Sequence, residues 1–125
     1  VNKRYKILLP VNDSKGSDMA IETAINFAKS YKLNVEIVSV PEAKKSNEEA
    51  EKILRKTKEK FLKNNINAST KLIDGSPVKS IVDYAKDDSI VILGVSPKNP
   101  VMKYFFGSKP LSIAQKCNCP VLITK

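Results

Sequence analysis

Ile90-Val-Ile-Leu-Gly-Val-Ser-Pro-Lys-Asn-Pro-Val-Met-Lys-Tyr-Phe-Phe-Gly-Ser108 joins a β-branched run to a helical pattern, with a glycine at each end of the join. The run ends at Gly94, and thirteen residues later Gly107-Ser108 stands ahead of the helix. Bare backbone N–H groups and the positive end of a helix dipole both attract anions. Two close-backbone points flanking one loop, the second opening a helix, therefore suit a phosphate or nucleotide cradle. Residues 96–107 are also the one long stretch without clear periodicity, and such loops in α/β domains usually carry function.

Outward from this segment the chain alternates. Tyr5–Val11 reads as a buried strand, stopped by the turn-like Asn12-Asp-Ser-Lys-Gly16. Ser17 is the expected cap of a helix whose apolar face is Ala20, Ile21, Ala24, Ile25 and Ala28. Asn34–Val40 is the second strand, closed by Pro41. Ser46 and Glu49 have capping-box spacing before a helix with the stripe Ala50, Ile53, Leu54, Thr57 and Phe61. Ala68–Ile73 is the third strand, and Asp74-Gly75 turns the chain. Ser76 caps and Pro77 begins a third helix, with Val78, Ile81, Val82 and Ala85 inward and Asp87-Asp-Ser89 at its end. Ile90–Val95 is the fourth strand. Ser108 caps a fourth helix with Leu111, Ile113, Ala114 and Cys117 inward, and Pro120–Thr124 is the fifth strand. Five strands alternating with four helices imply parallel pairing, right-handed crossovers and helices on both faces of one doubly wound sheet. Such sheets bind ligands at the carboxyl ends of their strands, where the strand order reverses.

Composition sets the outer limits. The 125 residues form one domain, 42% hydrophobic and 28% charged, long enough for a real core. No apolar run approaches the roughly 18–20 residues of a membrane helix. The chain does not start with Met, which leaves room for a processed protein or a piece of a larger one. Histidine is absent, which removes Ser-His-Asp triads, Cys-His dyads and most zinc sites. Cys117 and Cys119 lack Cys-x-x-Cys spacing, and neither a strand nor a helix favours a disulfide between them. They read as reduced thiols, which places the chain in a reducing, cytoplasmic compartment. The net charge of +9 is spread along the chain without interleaved stacking aromatics, so a solvated lysine-rich surface is expected rather than a nucleic-acid site.

These segments resemble the universal stress protein family over residues 5–124. Ile7-Leu-Leu-Pro-Val-Asn-Asp-Ser14 is similar to its first strand and acidic turn, Asp74-Gly-Ser-Pro77 to its entry into the third helix, and Cys119-Pro-Val-Leu-Ile123 to its closing strand. The family's nucleotide signature is Gly-x2-Gly-x9-Gly-Ser/Thr, and here the spacing reads Gly94-x2-Pro97-x9-Gly107-Ser108. Proline at the second position has no N–H to donate. The acidic residue that ATP-binding members carry after the first strand aligns with the uncharged Asn12, beside Asp13.

The resemblance implies one universal stress protein-like domain over residues 1–125, with strand order 3-2-1-4-5. Its function is implied to be regulatory binding of an adenine nucleotide, ATP or AMP, with Mg2+ only alongside ATP and no catalysis beyond slow hydrolysis. Pro10, Val11 and Asn12 would line the ribose and adenine, the backbone of Val40 would meet the adenine edge, and Leu93 and Gly94 would floor the pocket. Pro97 occupies the second signature position. Gly107, Ser108 and the Lys109 amide would hold phosphates. Lys98 and Lys103, from their charge and position alone, would neutralise phosphate. Met102, Tyr104, Phe105 and Phe106 read as core or dimer contacts rather than base-stacking groups. A homodimer through the last strand is implied. The competing expectation is an interaction module that has lost nucleotide binding, within a larger transporter-linked protein. An enzyme of the related nucleotide-hydrolase superfamily is disfavoured, because neither a His-x-Gly-His nor a Ser-Gly-Gly-x-Asp-Ser signature is present.

Overall fold

Short runs of Ile, Val and Leu with no polar alternation suit strands covered on both faces, and each such run here is a strand of one parallel sheet. A computed structural model describes residues 5–11, 15–41, 47–94, 116–117 and 119–124. In chain order the elements are β1 (Lys6–Pro10), α1 (Lys15–Tyr31), β2 (Asn34–Ser39), α2 (Asn47–Lys63), β3 (Ala68–Leu72), α3 (Pro77–Tyr84), β4 (Ser89–Gly94) and β5 (Val121–Thr124). The five strands lie in the order β3-β2-β1-β4-β5, all parallel, as the alternation and the resemblance imply.

Two cores separate the sheet from its helices. Ile7, Leu9, Val35, Ile37 and Ile92 meet Ala20, Ile21, Ala24 and Ala28 of α1 and Leu54 and Phe61 of α2 on one face. Leu8, Val38, Val91 and Leu93 meet Ile81 of α3 on the other, with Val78, Val82, Cys117, Cys119 and Val121 packed around them. The period-two alternation of β1, β2 and β4 decides which residues go to which face. Thr57 sits in the apolar stripe of α2 with its hydroxyl satisfied, donating to the Ile53 carbonyl at 2.7 Å.

Several helix ends differ from the expected ones. The first helix begins at Lys15, so Ser17 lies within its first turn rather than capping it. First-turn N–H groups need no partner within the helix, which lets Gly16 and Ser17 join it. Ser76 is the N-cap of α3 by backbone conformation, but its side chain makes no capping hydrogen bond. Its carbonyl instead accepts the first helical bond, from Ser80 N–H at 2.9 Å. The same helix ends at Tyr84, before the Asp87-Asp88 turn expected to end it. Helical structure has already stopped before Cys117, although that residue still packs inward on the second core. Ser46 lies outside the described residues, while Glu49 is in the first turn of α2.

Two helix ends use left-handed residues that are not glycine. Ile66 N–H donates to the Phe61 carbonyl and Asn65 N–H to the Leu62 carbonyl, both at 3.0 Å, with Asn65 at φ 59°. This is a Schellman closure of α2, and its usual apolar contact is present in the shared burial of Phe61 and Ile66. At the end of α1, Leu33 N–H reaches the Ala28 carbonyl at 3.1 Å across Lys32, at φ 53°. Gly75 is required where it stands because its φ of 123° is a conformation that L side chains rarely adopt; a Cβ there would also lie 2.7 Å from Ser80 Oγ.

Candidate functional site

The chain runs outward from β1 to β2 and β3, then returns to lay β4 and β5 on the other side of β1. The order therefore reverses between β1 and β4, and the carboxyl ends of these two strands flank the crevice in which such sheets hold ligands. What opens the crevice can be read from the hydrogen-bond parity of β1. Lys6 N–H points to the β4 side, donating to the Asp88 carbonyl at 3.0 Å, whereas Val11 N–H points to β2, donating to the Val38 carbonyl at 2.9 Å. Even-numbered residues of β1 thus face β4. By the register Lys6↔Ser89, Ile7↔Ile90 and Leu8↔Val91, position 10 is the next donor, toward the Ile92 carbonyl. Pro10 has no N–H to give. The ladder with β4 accordingly stops at Leu8↔Val91, while the ladder with β2 continues to Pro10↔Val38.

Pro10→Ala should then extend the β1–β4 ladder by one hydrogen bond, worth about 0.5–1.5 kcal/mol. The expected result is that the amide introduced at this position is protected from hydrogen exchange to the same degree as that of Leu8. If the introduced amide exchanges freely, something other than the missing donor ends the ladder.

The described residues of the expected site surround this opening. Pro10 is half-buried at the end of β1 and Gly94 half-buried at the end of β4. Leu93 is 6% exposed, and its carbonyl is occupied by the Thr124 hydroxyl at 3.2 Å. Val40, just past β2, packs on the second core, to which Leu93 also belongs. By alternation Pro10 lies on the same face as Val40 and Leu93. Val11 is 5% exposed and its side chain belongs to the opposite core, so only its backbone borders the crevice. Asn12, Pro97, Lys98, Lys103, Gly107, Ser108 and Lys109 lie outside the described residues. Among the described residues no group of three His, Cys, Asp or Glu side chains is placed to hold a metal ion. None of the described helices is long and apolar enough to cross a membrane.

The opposite, amino edge of the sheet is polar on the face covered by α3. A depression of about 210 Å³ there is lined by Lys6, Asn34, Glu36, Asn67 and Ser69, among others. Lys6 Nζ stands 3.9 Å from Glu36 Oε2, while Glu36 Oε1 is buried without a hydrogen-bond partner. The hydrogen bond from Tyr84 to Glu36, then burial, then the carboxylate's charge push the Tyr84 phenol up to about 12 from 10.0. A folded-state pKa above the unfolded one favours the fold fully below pH 10, and this contribution disappears as the pH rises toward 12. An absorbance titration should show a phenol ionising near pH 12 that Tyr84→Phe removes. In Glu36→Gln it should move back toward the ordinary value, because the acceptor charge is gone.

An all-parallel, doubly wound sheet places the chain among the open α/β domains that hold ligands at the switch point of their strand order. Within that class the chain belongs to the universal stress protein family, which matches residues 3–125. It is 25% identical over 142 residues to a universal stress protein of Methanocaldococcus jannaschii, covering 99% of this chain and 84% of that one. It is 26% identical over 145 residues to universal stress protein YxiE of Bacillus subtilis, covering 96% and 98%. Among solved structures, the universal stress protein from Archaeoglobus fulgidus in complex with dAMP superposes with a TM-score of 0.74 at 19% identity, covering 99% of this chain and all of that one (100%).

Proposed function

We propose that this chain is a regulatory stress-response domain that binds an adenine nucleotide at the carboxyl edge of its sheet and performs no catalysis of its own. The observation that carries the reading is the opening between β1 and β4, where Pro10 withholds the donor that would close the ladder. Gly94, the first glycine of the family signature, borders that opening. The A. fulgidus relative bound to dAMP supports the ligand class.

In this reading Pro10, Val11 and Asn12 flank the ribose and base, and the Val40 backbone meets the adenine edge. Leu93 and Gly94 form the floor. The signature residues Gly107 and Ser108, with the Lys109 amide, take the phosphates, and Lys98 and Lys103 offset their charge. The candidate ligands are ATP, with Mg2+, and AMP. A sensing domain of this kind works by differential binding: the nucleotide must favour one state of the domain over another to bias whatever docks on it. Mass spectrometry of the purified protein for a co-purifying nucleotide, followed by calorimetry with ATP and AMP, tests this. A protein that is clean and gives no heat with either contradicts it. Pro97 and Asn12 favour that second outcome, an interaction module without a nucleotide.

The reading includes a cytoplasmic homodimer joined through β5. The two sheet edges differ in chemistry. Edge strand β3 exposes Ser69, Thr70 and Lys71, whereas edge strand β5 exposes Leu122 at 39% and Ile123 at 36%. A bare apolar edge invites pairing, and a charged one resists it. Light scattering at tens of micromolar (roughly the scale of weak association) should give a dimer mass, and Ile123→Lys a monomer. A monomeric parent protein would contradict the assignment of β5.

A further inference from the structure

We propose that the amino-edge end of the helical layer formed by α1 and α2 docks on an anionic phospholipid bilayer. Both helices pack on the first core, so they share one face of the sheet. Each joins two parallel strands and runs back against them, which brings both C-terminal turns out at the amino edge. The two most exposed large hydrophobic side chains among the described residues stand on these turns. Tyr31 is 64% exposed and Leu62 is 52% exposed. Tyr31 is propped by Phe27, their ring centroids 4.7 Å apart. Leu62 is fixed by the closure of α2, its carbonyl accepting the Asn65 N–H at 3.0 Å.

Cations flank both tips. Lys29 and Lys32 bracket Tyr31 in the chain, Lys60 and Lys63 bracket Leu62, and all four are exposed. Residues 23–33 contain no acidic residue, and residues 52–63 set six basic residues against Glu59 alone. Among the described residues none of these four lysines is held in an ion pair. Lysines in a last turn complement the helix dipole, but that role does not call for exposed apolar side chains beside them. Two apolar tips flanked by lysines match the chemistry of a bilayer surface. The tips enter the boundary between headgroups and acyl chains, the Tyr31 hydroxyl stays at headgroup level, and the lysines meet the anionic headgroups. A single-stranded nucleic acid would stack a base on Tyr31 but gain nothing from Leu62. In this pose the carboxyl edge of the sheet faces away from the membrane, and its crevice stays open.

The test is flotation of the full chain with vesicles of phosphatidylcholine containing phosphatidylserine, and with vesicles of phosphatidylcholine alone. At low salt the chain should float with the first and not with the second. It should be released at about 1 M salt, where the screening length falls to about 3 Å. A lysine near an anionic surface is worth about fivefold in partition, so Lys60→Gln with Lys63→Gln should weaken binding about 25-fold. Lys71→Gln with Lys79→Gln removes the same charge from exposed positions on β3 and α3 and should leave binding nearly unchanged. The chain has no tryptophan, so Leu62→Trp supplies a single reporter, whose emission should shift to the blue on the anionic vesicles only. Any of three results overturns the proposal. These are no flotation with the anionic vesicles at low salt, whether or not a single-stranded oligonucleotide binds instead; equal losses from the two pairs of substitutions; or an unmoved emission in vesicle-bound Leu62→Trp.

Discussion

Phe61→Ala is expected to destabilise the domain by about 3–5 kcal/mol, the range for deleting a fully buried aromatic ring. Phe61 is 0% exposed and is the largest of the fully buried side chains among the described residues. It stands where α2 crosses the first core, beside Leu54, Ile66 and Ala68. Its carbonyl also receives the N–H groups of Asn64 and Ile66. Alanine keeps those backbone bonds, so the loss reports on the ring and not on the cap. Against a total of about 5–15 kcal/mol for a domain, this is a large share, seen as a fall in Tm of roughly 10–20 °C. A urea midpoint corresponding to less than about 1 kcal/mol of loss would mean that the first core does not depend on this residue.

The second large effect concerns Pro97. Under the proposed function, glycine at this position would regain a backbone donor aimed at a phosphate. A charge-assisted hydrogen bond is worth about 1.5–3 kcal/mol, so Pro97→Gly should tighten ATP binding by about ten- to more than a hundredfold. Calorimetry of the two proteins under the same salt and Mg2+ measures the ratio directly. Unchanged or weaker binding in the variant would remove Pro97 as the cause of any loss of affinity and leave Asn12, with its missing charge, to account for it.

Why some of this was legible before the structure, and some not, follows from the range of each signal. The buried runs Ile7-Leu-Leu9 and Ile90-Val-Ile-Leu93 and the stripe Ala20, Ile21, Ala24 and Ala28 are local patterns. Period and composition alone place them in strands and a helix. The closing residues of α1 and α2 carry no comparable signal. Lysine at position 32 adopts a conformation that its Cβ disfavours, and only the surrounding packing selects it. Ser76 shows the converse: the residue type and position were right for a cap, yet the side-chain bond is not made.

Pro10 illustrates a non-local limit. A proline at a strand end reads as punctuation. Its effect on the crevice depends on which neighbour its missing N–H would have faced, and that requires both the strand order and the register. As for the candidate site, its strand-end half, Pro10, Val11, Val40, Leu93 and Gly94, is placed around one opening. The phosphate half rests on the spacing from Gly94 to Gly107-Ser108 in the sequence.

The central claim is that an adenine nucleotide binds at the carboxyl edge of the sheet, and amide chemical-shift mapping of the isotope-labelled chain during titration with ATP tests it most directly. The largest shifts are expected at Val11, Val40 and Gly94 and across residues 97–109, with Lys6, Asn34 and Asn67 at the amino edge unmoved. Shifts centred on the amino edge, or no shifts at millimolar ATP (on the order of the weakest specific affinities), would contradict it.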